Sequence, residues 1–108
     1  AHLLIRRSGE VVQFVSFLHR AWHAGASNYL GRENCNDFSV GIELEGADDI
    51  AYEDVQYQQL AMIVQTLQQH YPSIAQHITG HSDIAPQRKT DPGDAFDWSR
   101  FWQLIGQE

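Results

Sequence analysis

Cysteine is almost absent from this sequence. Cys35 stands alone, so no internal disulfide can form, and the main sequence sign of an oxidising compartment is missing. Positive charge is scarce as well: 7 Lys and Arg face 14 Asp and Glu, a formal charge of -7, and no run of cations forms the stripe that neutralises phosphates. That balance excludes nucleic acid as the expected partner. No apolar stretch approaches the roughly 20 residues needed to cross a bilayer, and nothing at the start reads as a signal peptide. These absences lead to an expected cytoplasmic setting, with no membrane anchor and no evident obligate protein partner.

What the sequence does contain suits one small domain spanning residues 1–108, with 43% hydrophobic and 11% aromatic residues to build a single core. Ala1-His2-Leu3-Leu4-Ile5 begins directly in an apolar run, which reads as a start inside a domain whose N-terminal portion lies upstream. Leu3 to Arg6 and Val11 to Val15 are β-prone and separated by Ser8-Gly9-Glu10, the chemistry of a hairpin turn. From Ser16 to Phe38 no period of either kind persists, and long ordered loops of this sort are often functional. Phe38 to Glu45 alternates, which predicts a strand with Phe38, Val40, Ile42 and Leu44 on one face and Glu43 and Glu45 on the other.

The clearest helix is expected from about Asp54 to His70. Tyr57, Leu60, Ala61, Val64, Leu67 and Tyr71 recur at three- and four-residue steps, Pro72 closes the segment, and the opposite face is mostly Gln. A last helix is expected from Trp98 to about Ile105, with Asp97 as N-cap, Phe101, Trp102, Leu104 and Ile105 as anchors, and Gly106 at the stop. Between them Ile78 to Asp83 reads as a strand end entering a loop that runs to Phe96. Strands and helices without repeats or linkers imply one α/β domain, a central mixed sheet packed by helices.

Six histidines raise the question of a metal. His70 suits the C-terminal turn of its helix, where positive charge is favourable, and nothing adjacent recruits His19 or His77. His81 differs. It follows Gly80 at the end of an apolar run, and Asp91 lies ten residues on, across a loop containing Pro86 and Pro92, so one ion could take both. Catalytic zinc uses three ligands from His, Asp or Glu and leaves a position to water, whose pKa falls to about 7. On spacing alone the alternative stands beside this one: an ordinary strand-end histidine, and a turn aspartate in Thr90-Asp91-Pro92-Gly93.

Two long segments carry a resemblance. Cys35-Asn36-Asp37-Phe38-Ser39-Val40-Gly41-Ile42-Glu43-Leu44-Glu45-Gly46 and Gly80-His81-Ser82-Asp83-Ile84-Ala85-Pro86-Gln87-Arg88-Lys89-Thr90-Asp91-Pro92-Gly93 resemble the signature blocks of zinc-dependent N-acetylmuramoyl-L-alanine amidases, the family related to peptidoglycan recognition proteins. They are most similar to its AmpD type, which recycles anhydro-muropeptides in the cytoplasm. Arg20 to Gly25 and Phe96-Asp97-Trp98 fit the same pattern, so the similarity extends over essentially the whole chain. The resemblance implies a peptidoglycan-recognition-like fold, a zinc cofactor, and a muropeptide substrate cleaved between the lactyl group and L-alanine. It implies His81 and Asp91 as the second and third zinc ligands, Glu43 as the carboxylate that assists the attacking water, and Lys89 as the cation facing the oxyanion.

Elementary chemistry agrees with these roles. A strand carboxylate within one hydrogen bond of the water serves as general base, and a fixed cation stabilises a tetrahedral oxyanion. Each has a plainer reading as a solvated strand glutamate or loop lysine, and Glu45 keeps that reading. The resemblance places substrate wall contacts at the Ala21 backbone, Trp22 and the adjacent His23, with core packing the alternative for Trp22. Arg88 could grip a peptide carboxylate bidentately or form a surface ion pair.

The sequence also departs from the pattern. The family's first zinc ligand is a histidine on an early strand, ahead of the hairpin that opens this chain, and His2 matches a non-ligand histidine. Asn34 stands where related enzymes can carry an arginine for the stem peptide. Two rivals accompany the amidase reading, a muropeptide-binding module without turnover and an exported amidase acting on intact wall. Retention of His81, Lys89 and Asp91 weighs against the first.

Overall fold

The computed structural model describes residues 1–22, 24–47 and 49–106; His23 therefore lies outside the described residues. The opening hairpin forms as its sequence predicts, with β1 at Leu3–Ile5 and β2 at Val11–Gln13 paired antiparallel. Between β2 and the next strand of this sheet the chain makes a small separate hairpin, β3 at Asn28–Tyr29 and β4 at Arg32–Glu33, then a 3-10 turn at Cys35–Asp37. β5, Ile42–Leu44, joins the other edge of β1 in parallel. The three-stranded sheet thus has the order β2-β1-β5 and is mixed, as expected.

The expected strand from Phe38 is cut to its last part. Just before β5, His2 meets Gly41: its backbone N donates to Gly41 O at 2.8 Å while its ring Nδ1 accepts from Gly41 N at 3.1 Å. A side chain therefore takes the Gly41 amide, and in this register Phe38 and Ser39 have no β1 residue opposite them. Phe38 turns instead toward a small cluster of Ala24, Cys35 and Ile84, while Ile42 and Leu44 pack on the main core. The alternating segment passes from one cluster to the other.

α1 spans Asp54–His70, the bounds its periodicity predicts, and buries Tyr57, Leu60, Ala61, Val64 and Leu67. Its start is a reciprocal cap, with Glu53 N donating to Gln56 Oε1 at 2.9 Å. Gln56 lies on the apolar side of this helix, four residues before Leu60. It is fully buried, and its Nε2 donates to Ile5 O at 3.2 Å and Glu45 O at 2.9 Å, where it joins helix to sheet. Tyr71 lies past the helix end and is 40% exposed, outside the apolar stripe.

Ile78 to Gly80 form no strand; the chain enters a single helical turn, α2 at His81–Ile84. α3, Trp98–Leu104, has the expected cap, Asp97 Oδ1 accepting from Arg100 N at 3.0 Å. Phe101 and Ile105 are buried as predicted, but Leu104 is 41% exposed and is not an anchor. Tyr57, Phe96, Trp98 and Phe101 close the core as an aromatic group, with centroids 5.3 Å apart for Tyr57 and Phe96 and 4.9 Å for Phe96 and Trp98.

Candidate active site

The approach of two loops starts at Gly80. A Cβ there would come within 2.7 Å of Pro92 Cδ, so glycine is what lets the chain pass this close to the returning segment. Ser82 N donates to Asp91 O at 3.0 Å, and the Tyr52 hydroxyl donates to Pro92 O at 2.9 Å. The Asp91–Pro92 peptide is cis. With both carbonyls tied, Asp91 Oδ2 stands 2.5 Å from His81 Nδ1. The His81 side chain is 13% exposed and that of Asp91 46%, so the pair faces outward from a mostly buried base.

His81 and Asp91 line a cavity of about 1140 Å³ together with Glu43. β5 directs Ile42 and Leu44 to the core and leaves Glu43 exposed between them, the period-two consequence the sequence predicts. Glu45 is engaged elsewhere, with its Oε1 accepting from Arg7 N at 2.9 Å. Lys89 is half-buried, its backbone N held by Ala85 O at 2.9 Å, and it does not line this cavity.

Trp22 is not a core residue. It is 79% exposed, with the Arg20 guanidinium 5.2 Å from its ring centroid, whereas Ala21 beside it is buried at 1%. Trp22 borders a second hollow of about 310 Å³ with Arg20, Gly25, Asn34 and Asn36. Arg88 braces the same loop from below, its Nη2 donating to Ala24 O at 2.6 Å and Ala26 O at 2.7 Å. Gly25 between them has φ +62, and a Cβ there would lie 2.9 Å from that nitrogen. Arg88 is thus neither an isolated surface cation nor in an ion pair among the described residues.

The structure also brings forward residues that their sequence neighbours do not mark. Tyr29 and His77 line the large cavity and touch, hydroxyl to Nδ1 at 3.1 Å, although nothing near His77 in sequence recruits it. Arg32 lines it too, with its guanidinium 4.0 Å from the Phe38 ring centroid. The one signal in the sequence is Gly31, a turn residue between β-capable Tyr29 and Arg32.

His81 and Asp91 supply a nitrogen and a carboxylate oxygen converging on one spot, donors of the type zinc takes. Among the described residues no group of three His, Cys, Asp or Glu side chains assembles. His2 is no candidate for a third. It is buried, with Nε2 on His19 O at 2.8 Å and Nδ1 on Gly41 N, so both ring nitrogens are used.

Residues 1–94 match the family described as N-acetylmuramoyl-L-alanine amidase. The 1,6-anhydro-N-acetylmuramyl-L-alanine amidase AmpD of Escherichia coli strain K12 is 65% identical over 108 residues, all of this chain and 59% of the relative. A crystal structure of a selenomethionine AmpD derivative superposes with a TM-score of 0.96 at 64% identity, over 97% of this chain and 59% of that one. The complex of the E. coli amidase AmiD with anhydro-N-acetylmuramic acid-L-Ala-D-γ-Glu-L-Lys gives 0.81 at 32% identity, over 100% of this chain and 48% of that one. The chain therefore spans about 59% of the length of the curated AmpD relative. Its mixed sheet and helices have the architecture of these amidases.

Proposed function

This chain belongs to the N-acetylmuramoyl-L-alanine amidase family, and from that membership we propose that it hydrolyses the amide between the lactyl group of 1,6-anhydro-N-acetylmuramic acid and the L-alanine of a stem peptide. The setting of this reaction is peptidoglycan recycling in the cytoplasm. The observation that carries the reading is the convergence of His81 and Asp91 in the cavity that Glu43 also lines.

His81 and Asp91 are the residues that would hold zinc, and the ion would supply Lewis acidity for amide hydrolysis when bound. Glu43 takes the proton of the attacking water as its oxygen bonds to the carbonyl carbon, and returns a proton to the L-alanine nitrogen as the C–N bond breaks. Lys89, two residues before Asp91 in the same loop, would provide positive charge for the oxyanion once its side chain turns into the cavity, whose wall it does not form in this structure. The Ala21 backbone and Trp22 form a wall for the substrate, and Arg88 serves binding by bracing the loop that carries them. Trp22 suits this role because an exposed indole offers an apolar face to a sugar ring.

The test has a readout besides turnover. In the protein at its native length, His81→Ala and Asp91→Ala are each expected to lose both zinc and hydrolysis, since either removes a donor from a small ligand set. Stoichiometric zinc in both variants would refute the assignment. Glu43→Gln should keep zinc and lose about 10²-fold or more in rate, the usual scale for a general base. A near-normal rate removes Glu43 from the chemistry.

A further inference from the structure

The β3–β4 hairpin is an arm on the cavity wall. Its turn residues Leu30 and Gly31 both have positive φ, 52° and 87°, the geometry of a tight two-residue hairpin. The register pairs Tyr29 directly with Arg32, so these two side chains share one face of the arm. Each is then fixed by a separate contact. The Tyr29 hydroxyl meets His77 Nδ1 at 3.1 Å, and the imidazole stands edge-on to the phenol at 5.8 Å and 85°. The Arg32 guanidinium rests on Phe38, 4.0 Å from the ring centroid, and Phe38 in turn packs on Ala24, Cys35 and Ile84.

A guanidinium stacked on a ring uses its face and keeps its N–H edge for a planar anion. Among the described residues no carboxylate or carbonyl takes a hydrogen bond or ion pair from Arg32, which is exposed in a chain of net charge -7. An acidic protein that holds Arg32 flat at the wall of the cavity containing His81, Asp91 and Glu43, a wall to which Arg20 also belongs, has a place for negative charge on the ligand. A stem peptide with a γ-linked glutamate supplies that charge. Linkage through the γ-carboxyl leaves the α-carboxylate free, one residue beyond the scissile amide.

We propose that Arg32 is a specificity-determining residue that receives this α-carboxylate bidentately, with Tyr29 and His77 holding the arm in place. The inference rests on the amidase reading. It is tested by calorimetric binding of two ligands to the protein at its native length, every protein, wild type at position 32 included, carrying Glu43→Gln so that the ligand is not cleaved during titration. The ligands are anhydro-N-acetylmuramyl-L-Ala-γ-D-Glu-L-Lys, whose γ-carboxyl is held in a peptide bond, and the same compound with the glutamate α-carboxyl converted to a carboxamide. Wild type should prefer the carboxylate by about 10-fold or more, the scale of a charge-assisted pair of hydrogen bonds. Arg32→Gln should erase the preference by weakening the carboxylate ligand about 10-fold more than the carboxamide, and Arg32→Lys should retain part of it. Equal affinity of wild type for the two ligands overturns the inference alone. So does an Arg32→Gln variant that weakens both ligands alike, because the arginine would then only support the arm. Failure of wild type to bind either ligand overturns the amidase reading as well.

Discussion

Around α1, Tyr57, Leu60, Val64 and Ile5 meet Phe96, Phe101 and Ile105 through rings and methyl groups, a cluster held together by area removed from water. The segment from 24 to 38 buries far less. Its buried apolar residues in the small cluster are Ala24 and Cys35, which meet Ile84 of α2, with Tyr29 and Phe38 packed against them. Polar links hold it: Ala24 N donates to Asn36 Oδ1 at 2.8 Å, Cys35 N donates to Ser27 Oγ at 3.1 Å, and Arg88 reaches the Ala24 and Ala26 carbonyls. The His81–Asp91 pair sits at the seam between the two, since Ile84 on α2 belongs to the small cluster while Pro92 is tied to Tyr52 of the large one. The difference teaches where precision comes from. One region is rigid because it is packed, and the other is ordered by particular hydrogen bonds, which permits an exposed binding surface without a large core beneath it.

Four substitutions can break or sharpen this contrast. Phe101→Ala should cost the most, about 3–5 kcal/mol, because a fully buried ring leaves a cavity. Urea unfolding that moves by less than about 1 kcal/mol would deny that packing holds the first region. Asn36→Ala should cost about 1–3 kcal/mol, since it strands the Ala24 amide in a buried place. A neutral result there would mean that Asn36 is not a support of the loop. Arg88→Ala should cost roughly 1 kcal/mol globally, with its main effect local. Hydrogen exchange of the amides near Ala24 to Ser27 should quicken while those of α1 stay as they were, and uniform protection across both regions would argue against the brace. Trp22→Ala should change stability by no more than about 0.5 kcal/mol, as expected of an exposed side chain, and yet weaken muropeptide binding. Intact affinity in that variant removes Trp22 from the substrate wall.

Much of the fold and part of the site are legible in the sequence, and the division follows the range of the forces. The bounds of α1, the Asp97 cap, the opening hairpin and the inward face of Ile42 and Leu44 depend on neighbours within a few residues. Glu43 on the outer face of β5 is legible for the same reason. The long amidase-like blocks make His81 and Asp91 candidates. Their meeting across ten residues depends on Gly80 admitting Pro92 and on Ser82 holding the Asp91 carbonyl.

Where sequence and structure differ, one cause recurs. What Gln56 does is not legible locally because its partners, Ile5 O and Glu45 O, lie far away in sequence or on another element. The amide of Gly41, inside the strand predicted from Phe38, is taken by a ring 39 residues away, that of His2. Arg88 becomes a brace through carbonyls 64 and 62 residues distant, and His77 acquires Tyr29 across 48. The sequence by itself determined the periodic elements, the mixed α/β class and the types of residue available to the proposed site, because side-chain periodicity and capping act over one or two turns of chain. Tertiary structure alone decided which polar groups meet and which are used up in support, because a hydrogen bond is specified by the position of a partner that local sequence does not contain.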